Sequence, residues 1–125
     1  MKLSEKSLKI LSTVHKDLIA VVIRAAEISP VDFRVHEGIR TKERQALLVK
    51  SGASRTMNSR HLTAHAVDLV VQLNGKDCWD WPLYHKLAPA MKQAAKELKV
   101  DLEWGGDWKT FKDGPHFQLA RKSYP

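Results

Sequence analysis

Apolar residues recur at helical spacing between Ser4 and Ile28, at Leu8, Leu11, Leu18, Val21, Val22 and Ala25, and Pro30 ends the pattern. This predicts two short helices with a break near His15. Phe33 and Val35 then alternate with Arg34 and His36 ahead of Gly38, the mark of a short half-buried strand ending in a turn, with Arg40 just beyond it. Thr41 can N-cap a helix through Lys50, with Glu43 well placed in the first turn and Gly52 as the stop. Gly52 to Arg60 is polar loop. The run Ala66 to Leu73 is β-branched and apolar and predicts a central strand, closed by the turn signal Asn74-Gly75. Asp80 can cap a helix from Trp81 to Leu98; Pro82 is tolerated in its first turn, whereas Pro89 predicts a kink or a break into two. Leu102 to Trp104 and His116 to Leu119 read as two short strands separated by a long loop, Gly105 to Pro115. No internal repeat, low-complexity tract or linker interrupts these elements, so the expected architecture is a single α+β domain over residues 1–125.

A domain of 125 residues buries roughly two-thirds of its unfolded surface and needs no covalent staple. The one cysteine, Cys78, cannot form an internal disulfide, which fits folding in a reducing compartment. Any metal must then be held mostly by His and Asp. Lys2, Lys6 and Lys9 precede an apolar run, Leu18 to Ile23, that is too short for a signal core or a membrane span. No signal peptide and no stable membrane association are expected. The net charge of +7 favours polyanions: nucleic acid, anionic lipid or anionic wall polymers. Arg34, Arg40, Arg44, Arg55 and Arg60 would suit nucleic acid, but no recognisable fold motif or interleaved aromatics accompany them, and no nucleic-acid partner is expected. Lys92, Lys96 and Lys99 follow helical spacing as a solvated face.

Two polar clusters place metal-binding side chains beside apolar strands: Ser59 to Asp68, and Asp113-Gly114-Pro115-His116. A catalytic zinc takes three imidazole or carboxylate ligands and keeps a fourth position open; His61, Asp68 and His116 supply that count. His61 and His65, four apart, could instead share a helix face as in His-Glu-x-x-His proteases, but Leu62 stands where that motif needs its glutamate. The strand-like residues after Ala66 also argue against a helix there. Asp68 is therefore placed on the strand, and His65 is left as a residue behind the ligands or facing substrate. By spacing alone, a satisfied buried aspartate and ordinary core or surface histidines explain the pattern equally well. Asp113-Gly114 alone would be a turn.

Taken together, Ser59-x-His61-x-x-Ala64-x-Ala66-x-Asp68, Trp104-Gly105-Gly106-Asp107-Trp108 and Asp113-x-Pro115-His116-Phe117 resemble the VanY-like zinc peptidases of bacterial cell walls, especially the L-alanyl-D-glutamate endopeptidases among phage endolysins. Gly38-Ile39-Arg40-Thr41 and Gln45 look like that family's upstream motif, so the resemblance runs from about Val35 to Leu119. It implies a hedgehog/D-Ala-D-Ala peptidase-like fold, a small antiparallel sheet with helices packed against it. It also implies that His61, Asp68 and His116 ligate Zn2+, that Asp113 is the general base and that Arg40 faces the substrate. Gln45, Ser59, Thr63, His65 and Trp108 are the further candidate substrate contacts. Zinc acidifies water and polarises a carbonyl, and an ionised Asp113 could take the proton and return it to the leaving amine. The family places glycine where this chain has Ala64, a position at which a Cβ would crowd the loop or oppose a positive φ.

The function so implied is a phage endolysin that cleaves the L-alanyl-D-glutamate bond of peptidoglycan stem peptides during host lysis. A D-alanyl-D-alanine carboxypeptidase is the alternative within the same chemistry, and a zinc-bearing binding module without turnover is the alternative outside it. A two-histidine, one-carboxylate set also suits iron(II), and it is the peptidase resemblance that favours zinc. The expected protein is a monomer without a separate wall-binding domain, made in the host cytoplasm and reaching the wall through a holin pore after membrane permeabilisation.

Overall fold

A computed structural model describes residues 1–125, and its elements follow from local chemistry along the chain. Helix α1 (Glu5–Leu11) is N-capped by Ser4, whose hydroxyl accepts from the Ser7 N–H. Helix α2 (Lys16–Ile28) begins at the expected break: His15 caps it by accepting from the Asp17 N–H through Nδ1 at 3.0 Å. Strand β1 (Asp32–Glu37) leads through Gly38 to helix α3 (Lys42–Lys50), capped by Thr41 accepting from the Arg44 N–H at 3.1 Å. Gly52 ends the helix region at φ 83, a conformation that favours glycine.

Strand β2 (Ala66–Leu73) is the spine of the sheet. It pairs antiparallel with β1 along one edge. Along the other edge its first residues pair with β5 (His116–Leu119) and its last with β3 (Lys76–Cys78). Strand β4 (Leu102–Trp104) pairs with the far side of β5, giving the order β1-β2-β5-β4. The alternation of β structure divides this sheet into two faces. Phe33, Val35, Val67, Leu69, Val71, Trp104, Phe117 and Leu119 enter the core with α1, α2 and helix α4 (Trp81–Leu98). Asp68, His116, Gln118 and Glu103 alternate with those residues and lie on the other face. A register shift between Val35 and Glu37 then brings Glu37 opposite Asp68, so one polar row crosses the sheet.

The expected α+β domain, the antiparallel sheet and the helix break near His15 are present. Three local expectations are corrected. Helix α4 runs unbroken through Pro89. Both Pro89 and His85, whose carbonyl loses its i+4 donor there, are exposed, so water can satisfy that carbonyl. Asp80 precedes α4 but makes no side-chain cap bond. The turn at Asn74-Gly75 leads into β3, a strand that the residues Lys76-Asp77-Cys78 did not announce. Tyr84 of α4 reaches across that hairpin, donating to the Cys78 carbonyl at 2.8 Å and accepting from the Val71 N–H at 3.1 Å.

Candidate active site

His61 sits in a short 3-10 helix, Arg60–Thr63, that Ser59 caps by accepting from the His61 N–H at 3.2 Å. The chain then turns back into β2 through Ala64, which adopts the left-handed conformation at φ 63 and ψ 26. The expected conflict at this residue is therefore real: an L-alanine occupies a region that disfavours a Cβ by about 1 kcal/mol or more. Hydrogen bonds hold it there, since the His15 N–H donates to the Ala64 carbonyl at 2.9 Å and the His65 N–H donates to the Arg60 carbonyl at 3.0 Å.

The ladder sets the remaining geometry. Asp68 faces His116 directly across β2 and β5, and His61 approaches from the 3-10 helix. One ligand atom from each of His61, Asp68 and His116 lies within 4.8 Å of the others. Asp68 Oδ1 is 3.2 Å from His61 Nε2 and 3.2 Å from His116 Nδ1. His61 Nδ1 is 2.8 Å from the Gly38 carbonyl, which can only accept, so this nitrogen carries the proton and Nε2 turns its lone pair inward. Gly38 must be glycine, because a Cβ there would collide with Thr13 Oγ1 and the Ile10 carbonyl at the end of α1. His116 Nε2 is likewise occupied, 2.8 Å from Gln118 Oε1. Two imidazole lone pairs thus point at one carboxylate oxygen, and three converging acceptors are satisfied only by a cation. The donor set fits a metal ion held by His61 Nε2, Asp68 and His116 Nδ1.

Burial is the largest single influence on the Asp68 carboxyl and would raise its pKa, but with no cation bound its contacts with His116 and His61 together outweigh it and hold the group below the ordinary carboxylate range. Burial, the largest single influence, pulls the His116 pKa down, but the hydrogen bond and charge of Asp68, with Gln118 and Asp113, together outweigh it for a net increase. Asp113 behaves oppositely to Asp68. Burial and then the Asp68 charge push its carboxyl above the ordinary carboxylate value. Its loop is clamped by the Asp113 N–H donating to the Gly105 carbonyl at 3.0 Å, and a Cβ at Gly105 would collide with the Asp113 carbonyl.

These groups open into a cleft of about 560 Å³ that Arg40, Ser59, Trp108 and Asp113 line together with the three ligands. Trp108 lies beside His116, with ring centroids 5.1 Å apart. Arg40 is only 8% exposed and is locked in place: Nε donates to Glu37 at 2.6 Å, one terminal nitrogen to Gln45 at 2.8 Å, and the other approaches Asp68 Oδ2 at 3.5 Å. Three candidate substrate contacts lie elsewhere than expected. Gln45 is fully buried and bonds Arg40, Ser54 and Thr56, so it supports the cleft from behind. His65 stacks on His15 at 5.7 Å and bonds Thr63 Oγ1 at 2.7 Å, and neither His65 nor Thr63 lines the cleft. Sequence reasoning also missed Arg60, placed in polar loop but 4% exposed, whose guanidinium donates to the Leu119 and Tyr124 carbonyls. Gln118 was missed too; its place two residues after His116 in a strand was the available signal.

A cation site with an independent carboxylate beside it, in an open cleft on a small sheet, is the working arrangement of single-metal hydrolases, and fold and site together define that class. Similarity to known proteins narrows it. Residues 1–120 match the family described as phage L-alanyl-D-glutamate peptidase, and the chain belongs to that family. It is 36% identical over 127 residues to the L-alanyl-D-glutamate peptidase of Escherichia phage T5, covering 98% of this chain and 92% of that protein. It is 43% identical over 99 residues to the L-alanyl-D-glutamate peptidase of Listeria phage A118, covering 79% of this chain but 34% of that protein. The chain thus spans about a third of that longer relative. The crystal structure of the L-Ala D-Glu endopeptidase ChiX from Serratia marcescens matches it with a TM-score of 0.94 at 46% identity, over 100% of this chain and 94% of that one.

Proposed function

We propose that the chain is a zinc-dependent peptidoglycan endopeptidase that cleaves the L-alanyl-D-glutamate bond of stem peptides, with residues 1–125 as its catalytic domain. The observation that carries this reading is the convergence of His61, Asp68 and His116 on one point with Asp113 lining the same cleft. Family membership supplies the bond, since the relatives named above are L-alanyl-D-glutamate peptidases. His61, Asp68 and His116 would hold the zinc ion, which would supply Lewis acidity at the scissile carbonyl. Asp113 removes the proton from the attacking water and delivers it to the leaving amine. Arg40, fixed by Glu37 and Gln45, holds Asp68 and turns its remaining N–H groups to the substrate or to the oxyanion that develops on it. Ser59 and Trp108 border the peptide's path.

Mass spectrometry of purified muropeptides after digestion tests the bond. New D-glutamate amino termini are expected. Release of terminal D-alanine alone would identify a D-alanyl-D-alanine carboxypeptidase and overturn the assignment. The biological role that fits is lysis of a bacterial host by a monomeric phage enzyme reaching the wall after a holin opens the membrane. In keeping with this, no helix is long and apolar enough to cross a membrane.

A further inference from the structure

The two histidines of the metal site obtain their tautomers by different means. His61 is fixed by a backbone carbonyl, that of Gly38. His116 depends on side chains. Glu103 and Gln118 stand directly opposite each other in the β4–β5 ladder, and Gln118 is two residues from His116 on the same face of β5. Gln118 Nε2 donates to Glu103 Oε1 at 2.9 Å, while Gln118 Oε1 meets His116 Nε2 at 2.8 Å.

In this chain each group dictates the state of the next. A carboxylate only accepts, so Glu103 takes the NH2 end of the amide. The amide must then present its carbonyl oxygen to His116. That oxygen also only accepts, so His116 Nε2 carries the proton and Nδ1, 3.2 Å from Asp68 Oδ1, keeps the lone pair a cation needs. A reversed amide would set oxygen against carboxylate and NH2 against the ring. The imidazole proton would move to Nδ1 and close the site to metal.

We infer that Glu103 is a positioning residue for the metal centre: acting through the Gln118 amide, it holds His116 in the tautomer whose Nδ1 can ligate. The inference rests on reading His61, Asp68 and His116 as zinc ligands. Glu103 is exposed on a strand, does not itself line the cleft and makes no hydrogen bond or ion pair with the ligands, so its effect can reach the metal only through Gln118 or through space.

Zinc affinity, measured by competition with a chromophoric chelator, separates those routes. Glu103→Lys offers only donors and turns the amide around, so affinity is expected to fall roughly 10- to 100-fold. In a Gln118→Leu background the same change has no amide to turn and is expected to leave affinity at the level of Gln118→Leu alone. Adding Gln118→Glu to Glu103→Lys restores binding, because a carboxylate accepts from both neighbours. Nitrogen-15 spectra of the zinc-loaded protein should show His116 metallated at Nδ1 and protonated at Nε2, and circular dichroism checks that each variant is folded. An equal loss in both backgrounds would mean charge repulsion through space and would overturn the inference, as would full affinity in Glu103→Lys alone. Lack of stoichiometric zinc in the unmodified protein would overturn the metal-site reading itself.

Discussion

On the sheet side of the cleft, the side chains of His61, His116 and Asp68 are only 2%, 7% and 15% exposed, and strand register or a backbone carbonyl fixes each one. Across the cleft, Arg44 of α3 is 54% exposed, Phe111 is 44% exposed, and Arg55 is held only by lying 5.3 Å above the Phe111 ring. The first wall places atoms to within hydrogen-bond tolerance; the second presents charge and apolar surface from loops and one end of a helix. Chemistry requires the former and recognition of a flexible peptide tolerates the latter. Gln45 joins the two walls, with its carbonyl oxygen on Arg40 and its NH2 on Ser54 and Thr56.

The largest effects should come from the sheet wall. His116→Ala is expected to lose both zinc and wall hydrolysis, whereas Asp113→Ala keeps stoichiometric zinc and loses roughly 10²- to 10⁴-fold in turnover. Metal analysis beside a muropeptide assay checks both, and full activity in the Asp113 variant would remove it as the base. Next in size is the joint. Gln45→Ala leaves Arg40 on one wall and Ser54 on the other without their partner and empties a buried position, and should cost about 1–3 kcal/mol of stability, read by thermal melting.

Metal removal should expose a pH dependence confined to the sheet wall. In the metal-free protein His116 has a folded pKa above its unfolded value of about 6.5, so the stabilisation from its pairing with Asp68 is complete below that pH and is lost as pH rises through the folded value. Asp68, with its pKa depressed, keeps its contribution until strong acid. Melting temperature should therefore decline on the alkaline side without zinc and hold with it; a flat metal-free profile would contradict the pairing. The smallest effects belong to the outer wall. Arg44→Ala and Arg55→Ala should raise KM a few-fold, more at low salt, with zinc content and melting temperature unchanged.

The same division explains what the sequence disclosed. Asp68 was placed correctly on its strand because the residues around it are β-branched and apolar, and Thr41 and the break at His15 were legible from local capping chemistry and helical periodicity. β3 was not, because Lys76-Asp77-Cys78 is too short and too polar to alternate; a tertiary contact from Tyr84 completes it. Gln45 was read as a substrate contact and Arg60 as part of a polar loop, and only packing shows that both are buried and hydrogen-bonded. The Gln118 relay is invisible without the β4–β5 register, since Glu103 and Gln118 lie 15 residues apart.

Strand β5 holds the sheet together with only four residues, three paired to each neighbour. His116 on β5 and Asp68 on β2 are separated by 48 residues, so a bound ion closes a long loop much as a covalent cross-link would. Metal occupancy then becomes a determinant of folding cooperativity: with the ion in place β2 and β5 are tied together, and without it their pairing rests on the ladder and on the buried Phe117 and Leu119.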